Sequence, residues 1–207
     1  MIKLTAFILM LLAHVGFVFF PNSVVLLIVG RLAFPLFSWG IAQGYKYSKD
    51  LKQYTIRLLV IAILSQYPYY LVFHNNYLNV CFTLLAGVVV LALYNCSLNK
   101  WWKLIFISCV FIFVDIMNFE YGMYGVALIL VFYIFGANVK GILIHLAITL
   151  IGIYFYQYNI VQVFSILSIT IIYLFKNQNF RINRYVGYAF YPLHLIVIYM
   201  ASIYSKL

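Results

Sequence analysis

Four ionisable side chains sit inside runs that are otherwise almost wholly apolar: His14 in "LLAHVG", Arg31 in "VVLLIVGRLAFPLF", His145 in "GILIHLAITL" and His194 in "YAFYPLHLIVIYM". An ionisable group at membrane depth costs ~2.5 to 3.5 kcal/mol on insertion scales, so each is a candidate site by default. Arginine cannot shed its proton, so Arg31 calls for a carboxylate, backbone carbonyls, water or an anionic ligand. His14 and Arg31 belong to consecutive runs joined by the tight "FFPNS" turn, and at about 1.5 Å per residue both lie ~10 Å below the same end. His194 follows Pro192, whose missing N–H frees a carbonyl and bends a helix toward a cavity. A histidine can take a proton from an amine or hydroxyl while a cation holds developing oxyanion charge or donor phosphates, which is the chemistry of acyl transfer.

Other polar positions gather at the same end. Gln66, Asn79 and Thr83 flank the "FHNNYLN" turn, and "DIMNFE" brings Asp115 and Glu120, followed by Tyr121. Amides at helix ends serve as caps, yet with His14 and Arg31 this set describes an outward-opening polar pocket. Either acid could reach down to pair with Arg31. His145 and His74 read as structural or interfacial. Cys81, Cys96 and Cys109 form no C-x-x-C and have no close histidine, so they read as small apolar residues, and no metal site is expected. No Gly-rich phosphate loop and no Ser-His-Asp spacing is present.

The elements that hold these groups must be membrane helices. The 207 residues are 67% hydrophobic and 8% charged, about a third of the charge of soluble domains. Cutting at Pro, Asn, Gly and charge clusters gives nine apolar runs, near 2–20, 24–45, 54–73, 78–95, 101–117, 122–138, 140–156, 160–176 and 185–204. The expected fold class is all-α, a polytopic transmembrane bundle of about nine spans (eight to ten), in one domain over residues 1–207. Tyr and Phe number 20 and 19, more than two interfacial belts need, so many must pack between helices or line a cavity.

Orientation follows from the cations. Lys3, the Lys46–Arg57 group, Lys100, Lys103, Lys140, Lys176, Arg181 and Arg184 all fall on one side of the nine runs, eleven of thirteen basic residues; Arg31 is inside a run and Lys206 at the tail. The positive-inside rule makes that side cytoplasmic, with the N-terminus inside and the C-terminus outside. The net charge of +10 then reflects topology and attraction to anionic lipid, with no nucleic-acid partner required.

In order along the chain, "IKLTAFILMLLAHVG", "GRLAFPLFSWGIAQGYKYSKD", "YTIRLLVIAILSQYPYYL", "LNVCFTLLAGVVVLALY", "EYGMYGVALILVFYIFG" and "YAFYPLHLIVI" resemble the successive signature blocks of the TraX family. The resemblance implies an acetyltransferase of the bacterial inner membrane, taking acetyl from acetyl-CoA to an amine such as a pilin or peptide N-terminus. Related membrane enzymes acylate hydroxyls of surface glycans. It places the family's first-helix histidine on His14, the G-R-x-x-F-P block on Gly30, Arg31, Phe34 and Pro35, and Y-P-x-H on Tyr191, Pro192 and His194. The family commonly carries Asp before the first-helix histidine; here Ala13 stands there. On this reading His14 is the general base and Arg31 the electrostatic anchor. His194 with Tyr191 lines the donor's channel, with no metal involved. The basic "GYKYSKDLKQYTIR" loop would attract the nucleotide of CoA. A small transporter or channel with the same polar pocket is the alternative, although no inverted repeat marks one. The residues leave the acceptor and the oligomeric state open.

Overall fold

The computed structural model describes residues 1–178 and 183–205. Arg181 and Lys206 of the charge pattern lie outside the described residues. The chain is helical throughout: α1 Ile2–Phe19, α2 Val24–Arg31, α3 Ala33–Tyr47, α4 Leu51–Phe73, α5 Val80–Asn95, α6 Lys100–Ile116, α7 Gly122–Phe135 and α8 Val139–Phe155 are followed by a 3₁₀ segment Ile160–Leu167, α9 Ser168–Phe175 and α10 Arg184–Tyr204. Among the described residues the only β pairing is one isolated bridge, Leu78 to Phe119. Each apolar run of the sequence becomes helical. Val24–Tyr47 and Ile160–Phe175 do so in two pieces each. By length and composition α1, Val24–Tyr47, α4 and α10 can cross a membrane, and the remaining apolar helices are shorter. The chain is a membrane protein.

The break in the second run has a local cause. Pro35 has no N–H to give to the carbonyl four residues back, that of Arg31, and its ring clashes there in a continuous helix. The helix therefore ends at Arg31 and restarts at Ala33, with Leu32 as the junction. In the new helix Pro35 falls in the first turn, where a missing N–H leaves no bond unmade. Arg31 is thus carried at a helix end rather than mid-helix.

Close backbone approach seats α2 on α1. A Cβ on Gly30 would lie 2.7 Å from Cβ of Ala13, and one on Gly16 would lie 2.7 Å from Leu26. Only glycine allows this distance, and Ala13 and Gly30 bring their sequence neighbours His14 and Arg31 onto one cavity.

Helix α7 is the central element. Val126, Leu128, Ile129 and Phe132 are fully or nearly fully buried on it, and it packs against α3, α5, α6 and α8. Helix α6, in contrast, buries only Val114 and turns Trp102, Ile105 and Phe113 outward, as a lipid-facing helix does. Helix α10 lies against α4 and α1, where Phe7 stacks on Phe190 with ring centroids 4.5 Å apart.

A second polar knot lies within the bundle. Tyr124 Oη meets Thr149 Oγ1 at 3.3 Å and accepts from Gln162 Nε2 at 3.3 Å, while Ser165 Oγ lies 3.2 Å from His145 Nε2. The knot ties the 3₁₀ segment to α7 and α8 and accounts for His145 in structural terms.

Candidate functional site

Two cavities enter the bundle from opposite ends. The first, about 500 Å³, opens beside Phe20, Pro21 and Ser23 and carries His14, Arg31, Tyr69, Glu120 and Tyr121 on its walls. The second, about 550 Å³, opens at the end marked by Lys3, Lys176 and Gly187 and runs between mostly apolar walls to Val80, Cys81 and Tyr191.

In the first cavity a short chain of hydrogen bonds fixes the state of His14. Nδ1 of His194 lies 2.8 Å from the carbonyl oxygen of Phe190, one turn earlier on α10. A carbonyl can only accept, so Nδ1 of His194 carries the proton and Nε2 of the neutral ring holds a lone pair. Nδ1 of His14 lies 2.8 Å from that Nε2, so it donates, and the two ring planes are 10° apart. The network therefore assigns the tautomer that leaves Nε2 of His14 with a free lone pair. A carboxylate is not needed to orient the imidazole. His194 takes that place.

Arg31 faces the cavity with its Nε buried and without a hydrogen-bond partner. Among the described residues no carboxylate comes within 4.0 Å of its guanidinium. Its electrostatic neighbours are Glu120 and Tyr121. Asp115 is exposed and interacts with Tyr156 and Tyr158 instead.

Glu120 lies in the connection between α6 and α7, and the neighbouring chain sets its position. The Thr83 hydroxyl donates to the Glu120 carbonyl, while Glu120 N donates to the Leu78 carbonyl at 2.8 Å. Tyr121 takes a left-handed backbone, φ 65°, and stacks on Phe34 at 3.9 Å, closing the floor of the cavity. Burial pushes the Glu120 carboxyl up to about 7, against the lowering effects of the Val80 N–H, Arg31 and the Tyr69 hydroxyl.

The other expected pocket residues have different occupations. Gln66 donates to the Tyr77 carbonyl at 2.9 Å, and its Oε1 accepts from both nitrogens of Asn79 at 3.0 and 2.8 Å. Asn79 also donates to the Ala62 carbonyl at 2.8 Å and caps α5 through Cys81 N at 3.0 Å. Both are committed to the turn between α4 and α5, and neither lines either of these two cavities. Thr83 acts through the Glu120 backbone. Tyr191, expected on the donor's channel, lies on the second cavity, whereas His194, expected beside it, lines neither of the two. Tyr191 is 5% exposed and its hydroxyl has no hydrogen-bond partner. Cavity-lining Tyr69, Asn75 and Tyr77 were not singled out from the sequence. The only trace of Tyr69 there is its place in the aromatic "YPYY" run.

At the mouth of the second cavity Lys3 lies over the Phe7 and Tyr188 rings, 5.5 and 5.8 Å from their centroids. Lys176 shares that lining, whereas Lys46, Lys49 and Lys52 of the basic loop are absent from it. Three or more His, Cys, Asp or Glu side chains grouped to hold a metal do not occur among the described residues.

Compared with known proteins, residues 1–202 match the profile of the family described as TraX protein. No curated protein and no solved structure matches the chain.

Proposed function

Because the chain belongs to the TraX family, we propose that it is a membrane acetyltransferase that carries acetyl from acetyl-CoA to an amine at the outer face, a pilin or peptide N-terminus being the acceptor of choice. The observation that carries this reading is the Phe190–His194–His14 hydrogen-bond chain, which ends in an imidazole nitrogen with a free lone pair on a cavity shared with Arg31. Nε2 of His14 takes the proton of the attacking amine. Arg31, with an unpartnered nitrogen, is the cation available to the negative charge that forms on the carbonyl oxygen.

The second cavity suits the donor. Its apolar walls match the thin pantetheine arm, and Lys3 and Lys176 at its mouth suit the phosphates of the nucleotide. The reading takes the basic end as cytoplasmic in an inner membrane, which the charge pattern supports, and treats residues 1–207 as one acyltransferase domain. An acceptor hydroxyl, as on a surface glycan, would use the same base.

The test is turnover by the purified protein in lipid vesicles with labelled acetyl-CoA. Label appearing on a peptide amine supports the proposal. Label on a glycan hydroxyl moves the acceptor class, and flux of a solute without acetyl-CoA supports a transporter in its place.

A further inference from the structure

The two cavities end against a common wall, and that wall contains a thiol. Cys81 occupies the first turn of α5, at the inner end of the second cavity. It interacts electrostatically with Glu120, which faces the first cavity. Beside it the Tyr191 hydroxyl is buried, unpartnered and coupled to Cys81, Glu120 and Tyr69. The Val80 N–H lies beside both that oxygen and the Glu120 carboxyl. A thiol, a carboxylate and one unpartnered hydroxyl therefore meet where the donor's path ends and the acceptor's begins.

We propose that Cys81 is a covalent acetyl carrier between the two cavities, with Glu120 as its proton acceptor and with the Tyr191 hydroxyl as the donor that holds the oxyanion. The proposal rests on the acetyl-transfer reading and adds an intermediate to it.

In the loading step Cys81 gives its proton to Glu120 and its sulfur attacks the thioester carbon of the donor. The oxyanion faces the Tyr191 hydroxyl until the bond to the CoA sulfur breaks, and the thiolate released takes the proton from Glu120. One thioester replaces another, so neither an oxidant nor a further co-reactant is required. In the discharge step the acceptor amine attacks the Cys81 thioester from the first cavity. His14 takes the amine proton, the carbon–sulfur bond breaks, and the proton passes back to the Cys81 sulfur. A carrier in the wall removes the need for donor and acceptor to share one chamber.

The experiment is acetyl-CoA added to the full chain in lipid nanodiscs without acceptor, followed by intact mass and peptide mapping. Wild type should gain one hydroxylamine-labile acetyl group on the peptide containing Cys81. His14→Gln should load in the same way and fail to discharge when an acceptor peptide is added. Tyr191→Phe should load roughly 10²-fold more slowly, as when one oxyanion donor is removed. Cys81→Ala, a small apolar replacement whose folding is checked by its melting curve, should lose both the label and acceptor acetylation. Acceptor acetylation by Cys81→Ala at a rate near wild type overturns the carrier and leaves the acetyltransferase reading standing. So does acceptor acetylation by a wild type that gains its label on His14 or gains none. Absence of both label and acceptor acetylation in wild type overturns the two readings together.

Discussion

His14 and His194, 180 residues apart in the chain, share one proton across 2.8 Å. The Phe190 carbonyl decides which ring owns it, because it occupies Nδ1 of His194. In the proposed reaction His194 is therefore a positioning residue, acting through His14. His194→Phe should lower kcat by about 10²-fold with the donor KM unchanged. His194→Gln, whose amide oxygen can accept from Nδ1 of His14, should recover part of that loss. Nitrogen-15 chemical shifts of labelled His14 report the tautomer directly, and an unchanged tautomer in His194→Phe would remove the positioning role.

Arg31 has no ion-pair partner to leave stranded, so its loss should not destabilise the bundle in the way that breaking a buried pair does. Arg31→Met should keep a near-normal Tm and lose transfer. Arg31→Lys, which keeps the charge without the planar fork, should cost roughly 10²-fold in kcat. Neither Glu120→Gln nor Asp115→Asn should rescue Arg31→Met. A double variant that regains stability and activity would show Arg31 to be one half of a structural pair.

The contact of Gly30 with Ala13 should be felt in stability. Gly30→Ala places a Cβ 2.7 Å from Cβ of Ala13, and such overpacking costs about 1 to 3 kcal/mol. The double variant Ala13→Gly with Gly30→Ala restores the spacing and should recover most of the lost Tm, a coupling that a double-mutant cycle measures.

A carboxyl raised to about 7 is mostly protonated at pH 6 and mostly ionised at pH 8. If Glu120 acts as a proton acceptor, turnover should climb through that window and the limb should vanish in Glu120→Gln. The stability effect has the opposite sign. The folded state holds the proton more tightly than the unfolded chain, with its usual value of 4.5, so Tm should fall as pH rises from about 4.5 through 7. Glu120→Gln should flatten that fall as well.

Orientation is tested by single cysteines added to a chain whose own three are replaced. Those at Ser48 and Asn177 should be shielded from an impermeant thiol reagent in intact cells, while those at Asn76 and Asn159 should react. The reverse pattern would move the His14 cavity to the cytoplasmic side.

The helices were legible because lipid demands long apolar runs and polar residues interrupt them; all nine runs appear as helices. The break at Leu32 was not read, although its signal was present: hydropathy registers the apolar run and ignores the hydrogen bond that Pro35 cannot make. Shared depth and the short "FFPNS" turn drew His14 and Arg31 together in the sequence, and they do share a cavity. The contact of His14 with His194 left no such trace, since nothing local couples α1 to α10. Gln66 and Asn79 misled for the converse reason. Polar side chains beside a membrane turn look the same in sequence whether they face a ligand or hold the turn itself.

The two cavities stop at a wall built around Tyr191, Glu120, Tyr69 and Cys81. If acetyl is handed across such a wall as proposed, the membrane keeps its electrical insulation, because the group takes with it no column of water and no chain of mobile ions. The proton-motive force is then spared the leak that an open passage of the same width would create, and high expression should leave the membrane potential of the cell unchanged.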